Sequence, residues 1–185
     1  MQTQKRSWIY GGLAHPPGMV LARAAPRGRR LAPGATMLLT GDAHAWGLSP
    51  FLSHLCRDGE VTFIERAHRC TLEDWVDTAG LRQAVAEAKP TVVVISLGPT
   101  KPLCPASCAA IGEIAAAARH RGGTLVWLRP PQTGPLSRPF RLELSRAKVP
   151  SFHSEALRLP RGPDEKTPTA RGYAGWAGAL WRWIG

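Results

Sequence analysis

With 185 residues, 44% of them hydrophobic and 20% charged, the chain is long enough for one domain with a real core, and its composition excludes a disordered polymer. A net charge of +11 and a pI near 10.5 point toward acidic partners such as nucleic acid, anionic polymers or acidic protein surfaces. No nucleic-acid motif accompanies that charge, so a merely solubilising role is an equal reading. No apolar run reaches the length of a membrane span or of a signal-peptide core, so no membrane partner is expected. The expected place is the cytoplasm, or a virion assembled there.

Residues 1–35 are read as an extended basic N-terminal arm. They hold Lys5, Arg6, Arg23, Arg27, Arg29 and Arg30 and no acidic residue. Their prolines break any long helix, yet Trp8, Ile9, Tyr10, Met19, Val20 and Leu21 are too apolar for a plain tail. Two readings follow. The arm packs on its own domain, or it orders on a partner or on another copy of the chain.

The domain proper is read as residues 36–185. Residues 37–40 make a short buried strand, broken by Gly41-Asp42, after which Leu48, Phe51, Leu52 and Leu55 recur at helical spacing. Strands are expected at 61–65, 91–97, 124–128 and 149–152. Helices are expected up to Arg57, over 81–88, 103–120 and about 140–147, and over 169–184. Strand and helix alternate throughout, which implies a parallel sheet covered by helices on both faces. Four cysteines at 56, 70, 104 and 108 have no zinc-finger spacing and read as free thiols; no cofactor is expected.

The turn at 41–43 organises the chain. In open α/β sheets ligands bind in the crevice at the carboxyl ends of the strands, which is where Asp42 and Ala43 fall. Gly41-Asp42-Ala43 resembles the Gly-Asp-Ser that opens the GDSL/SGNH hydrolase family, whose serine is the nucleophile. The resemblance covers roughly residues 36–185, with the family's blocks in order. It implies a flavodoxin-like three-layer α/β/α sandwich with a five-stranded parallel sheet.

The same blocks lack the family's chemistry. Ala43 stands at the nucleophile. Arg69 or Cys70 stands where an oxyanion-facing glycine belongs. Gly98-Pro99-Thr100-Lys101 replaces Gly-x-Asn-Asp, so Thr100 stands for the asparagine donor. Asp164-Glu165-Lys166-Thr167-Pro168 replaces Asp-x-x-His-Pro, so Thr167 stands for the base while Asp164 remains. Acyl transfer needs an activated nucleophile, a base and oxyanion donors. The resemblance therefore implies a degenerate member of the family, a pseudoenzyme.

Four functions are weighed. The first is a structural or binding component of a larger assembly held by the arm, a capsid-decorating, tail or baseplate protein being one setting by analogy. The second is a glycan- or anion-binding module in the old crevice, using Trp46 and Trp75, which belong to the crevice loops, with Arg69, Lys101 and Lys166. For both tryptophans core packing is the competing reading. The third is a rewired esterase or deacetylase with Cys70 as nucleophile and His44 or His68 as base. Nucleic-acid binding through the arm is the fourth. Asp42 is expected to brace its turn, and Asp164 to order the loop before the last helix.

Overall fold

The computed structural model describes residues 31–67, 80–97, 105–120, 122–129, 131 and 138–185. Its elements are β1 (Thr36–Gly41), α1 (Ala43–Asp58), β2 (Thr62–Ala67), α2 (Gly80–Ala88), β3 (Val92–Ser96), α3 (Pro105–His120), β4 (Thr124–Arg129), α4 (Arg138–Arg146), β5 (Ser151–His153) and α5 (Ala170–Ile184). A single 3-10 turn, Ser154–Ala156, follows β5.

The five strands are all parallel, in the order β2-β1-β3-β4-β5. Alternate residues of a strand point to opposite faces, and here both faces are apolar. Leu38, Val93, Ile95, Leu125 and Trp127 pack under α2, α3 and α4. Met37, Leu39, Val92, Val94, Val126 and Leu128 pack under α1 and α5. That is a three-layer α/β/α sandwich in the flavodoxin-like order, with its switch point between β1 and β3.

Three details correct the sequence reading. The apolar residues Phe140, Leu142 and Leu144 suggest the helix by composition, but only Phe140 and Leu144 turn inward while Leu142 is 47% exposed. Position 142 is two residues from each of them, so a helix throws it to the other side. Trp46 lies neither in a loop nor in the core. It sits in the first turn of α1 and is 61% exposed, because the helix starts directly after Asp42. The boundary at 35 is also later than the packing. Leu31 contacts the α1–α5 core, Ala35 is buried, and the Ala35 carbonyl accepts from the Thr62 amide at 2.8 Å. Residues 1–30 lie outside the described residues.

Candidate functional site

The switch point is built by two adjacent strand ends. Gly41 closes β1 with φ +133°, and a Cβ there would sit 2.0 Å from the Ser96 carbonyl oxygen. Glycine is thus required both by the backbone angle and by the approach of β3. Asp42 comes next. Its amide donates to the Ser96 carbonyl at 2.9 Å, and its Oδ1 accepts from the Ser96 hydroxyl at 3.3 Å.

Asp42 is also the N-cap of α1, accepting from the His44 amide at 2.9 Å. The bracing role expected from the sequence is therefore what the carboxylate does. Burial pushes its carboxyl above the ordinary value, against the opposing pull of His44 and of hydrogen bonds from the His44 and Ala45 amides and Ser96. Ala43 opens the helix and is exposed.

His44 belongs to the helix rather than to a solvated loop. Its Nδ1 lies 3.2 Å from the Tyr173 hydroxyl, 129 residues away. Its ring meets Trp176 edge-on, with centroids 5.8 Å apart, and Tyr173 stacks on Trp176 at 16°. Trp176 is fully buried and donates from Nε1 to the Ser154 hydroxyl at 2.7 Å. The sequence offered Tyr173 and Trp176 as the apolar face of the last helix but not their histidine partner. Burial, and then the fields of Asp42 and Asp164, push the Tyr173 phenol above its ordinary range.

The segment before α5 carries Asp164. Its Oδ1 accepts from the amides of Lys166 at 3.0 Å and Thr167 at 2.9 Å, and its Oδ2 accepts from the Thr167 hydroxyl at 2.6 Å. These bonds hold the carboxyl below the ordinary value, the Thr167 hydroxyl contributing most. Asp164, Lys166 and Thr167 are all exposed. The Lys166 amide closes this turn.

The structure thus unites Asp42, Ala43, His44, Ser96 and Tyr173 around the ends of β1 and β3, and ties Asp164 to Thr167. The other named positions, His68, Arg69, Cys70, Trp75, Gly98, Thr100 and Lys101, lie outside the described residues. Among those described, no three His, Cys, Asp or Glu side chains are grouped to hold a metal ion. No described helix is long and apolar enough to cross a membrane.

The fold matches that of a lipase/acylhydrolase from Enterococcus faecalis. The alignment has a TM-score of 0.57 and 15% identity, covering 82% of this chain and 95% of that one. A GDP-L-fucose synthetase from Naegleria fowleri aligns at a TM-score of 0.40 and 11% identity over 89% of this chain and 48% of that one, too weakly to carry an argument. Neither a protein-family model nor a curated protein sequence matches the chain. The first likeness shows the fold alone, a three-layer α/β/α sandwich around a parallel sheet.

Proposed function

We propose that this chain is a non-catalytic domain on an SGNH-type scaffold, serving as a binding or structural component of an assembly that its N-terminal arm helps to hold. One observation carries the reading: the Asp164 carboxylate is taken up by its own turn. In the resembled family that aspartate supports a histidine base. Here the Thr167 hydroxyl and two backbone amides occupy both oxygens, and threonine cannot serve as a base at neutral pH.

At the other end of the crevice the helix opens with Ala43, whose methyl group has nothing to deprotonate. Ser96, at the end of β3, bonds to Asp42, the residue before Ala43. It is fully buried, and its hydroxyl is taken up by the Asp42 carboxylate that caps α1. His44 faces the Tyr173 hydroxyl, but the phenol is pushed away from ionisation, the reverse of an activated nucleophile.

A second reading, binding of a glycan or an acidic ligand in the crevice, is favoured by Trp46. Its indole stands 61% exposed one turn from Asp42, where an aromatic face suits a sugar ring or a partner side chain.

A fluorophosphonate probe, which labels only activated serine nucleophiles, tests the main reading. The natural chain is expected to take up no label beyond its heat-denatured control. Stoichiometric label on any one serine would overturn the non-catalytic assignment.

A further inference from the structure

The most unusual buried group lies at the carboxyl end of β4, on the same rim of the sheet as the switch point but two strands from β1. The strand runs Thr-Leu-Val-Trp-Leu-Arg, so a buried apolar run ends in a cation, Arg129. Arg129 is 4% exposed. In a strand it shares a face with Trp127, two residues before it, and Trp127 packs edge-on against Phe140 of α4 with centroids 5.2 Å apart. The guanidinium is therefore placed beyond that contact, toward the first turn of α4.

Its partners are few for a buried cation. Nη1 donates to Glu155 Oε1 at 2.6 Å and to His153 Nδ1 at 2.8 Å. The same His153 Nδ1 lies 3.1 Å from Glu155 Oε1, so the three groups share one contact. Nε is buried and has no hydrogen-bond partner among the described residues, and the Ser151 hydroxyl of the neighbouring strand is likewise unpartnered there. A buried donor without an acceptor costs on the order of 1–3 kcal/mol, more when charged.

The surroundings add positive charge. Arg141 in α4 lies close enough for its field to oppose that of Glu155 on Arg129, and it makes no ion pair among the described residues. Arg161 donates from Nη2 to the Pro131 carbonyl at 3.3 Å, two residues beyond Arg129, and from Nη1 to the carbonyls of Glu165 and Lys166. Arg129 and Arg141 thus share one paired carboxylate, Glu155, while Arg161 is tied to the Pro131 carbonyl and to its own turn. The first turn of α4 holds no acidic residue.

We propose that the carboxyl end of β4 is an oxyanion-binding site, with Arg129 as its buried anchor, Arg141 at its rim, and a phosphate group as the ligand class. An oxyanion supplies the acceptor that Nε lacks, and a phosphate dianion better balances the excess charge than a single carboxylate does. Glu155 competes for the same guanidinium and weakens the site. This inference does not depend on whether the domain catalyses anything.

The test is titration of the full chain with inorganic phosphate, with acetate and with chloride at matched ionic strength, read by calorimetry and by the Arg129 Nε–Hε NMR resonance. Phosphate is expected to bind saturably and move that resonance, while chloride does neither. Arg129→Met is expected to abolish binding. Arg141→Gln, at an exposed position, lowers affinity at least threefold, and Glu155→Gln raises it several-fold. If Arg129→Met does not fold, the two milder variants still decide. Acetate binding as tightly as phosphate would overturn the ligand class. No saturable phosphate binding, or affinity unmoved by both Arg141→Gln and Glu155→Gln, would overturn the site.

Discussion

Asp42 and Ser96 hold the switch point together from both directions. The Asp42 amide donates to the Ser96 carbonyl, and the Ser96 hydroxyl donates back to the Asp42 carboxylate. Because the same carboxylate caps α1, the end of β3 and the start of the first helix share one anion.

That arrangement fixes a pH dependence. Burial raises the Asp42 carboxyl above the ordinary value it has in the unfolded chain. From the ordinary carboxylate value up to the raised folded one, the folded state holds the extra proton. Stability from this group is therefore present below that window and is lost as pH rises through it. Asp164 works oppositely. Its lowered value gives stability above the ordinary carboxylate value that is lost as pH falls through the folded one. Asp42→Asn keeps an amide oxygen for the cap, so it is expected to gain on the natural chain as pH rises above the ordinary carboxylate value. Asp164→Asn is expected to be the less stable chain above the ordinary carboxylate value, its deficit shrinking as pH falls below that value. Urea midpoints against pH check both signs.

Gly41→Ala is expected to be among the most damaging single changes, at about 3 kcal/mol or more. The new Cβ would lie 2.0 Å from the Ser96 carbonyl oxygen at a φ that alanine rarely adopts. Gly34→Ala also adds strain at positive φ, but it meets no atom within 4 Å and is expected to cost far less. Chemical denaturation of the two variants side by side separates contact from backbone angle.

Tyr173→Phe removes the hydroxyl facing His44 Nδ1 and keeps the stack on Trp176, so a loss of about 1 kcal/mol is expected. Trp176→Ala is expected to cost about 3–5 kcal/mol, since it empties a fully buried site and orphans the Ser154 hydroxyl. A Tyr173→Phe loss near that of Trp176→Ala would mean that the hydroxyl does more than this one bond.

The alternation of strands and helices was legible because buried strands such as 92–96 are unbroken β-branched runs and because Gly41-Asp42 stops β1 so sharply. The local carboxylate roles were legible too, since Asp42 and Asp164 bond within three residues of themselves on the helix and loop side. The His44–Tyr173 contact was not, because nothing local in the sequence links a first-turn histidine to a helix 129 residues later. Trp46 was misjudged because a tryptophan is usually buried and its direction depends on where the helix starts. Arg129 had a signal that went unread: a charged residue ending a strand that is otherwise wholly apolar.

If the arm holds an assembly, removing residues 1–30 should leave the domain folded and disperse the assembly. The cut should spare Leu31 and Ala35, which pack on the α1–α5 core. Light scattering of the full chain and the truncated one, with circular dichroism to confirm folding, checks this. Equal masses for the two would remove the arm from the account.

The central claim is that the scaffold carries no acyl-transfer chemistry, and ester hydrolysis tests it most directly. The natural chain should be assayed on short acyl esters and acetylated sugars beside an Ala43→Ser/Thr167→His variant and a Cys70→Ala variant. No turnover by the natural chain above the buffer rate is the expected result. Turnover that follows the protein through purification would contradict the claim, and its loss in Cys70→Ala would place the nucleophile at that cysteine.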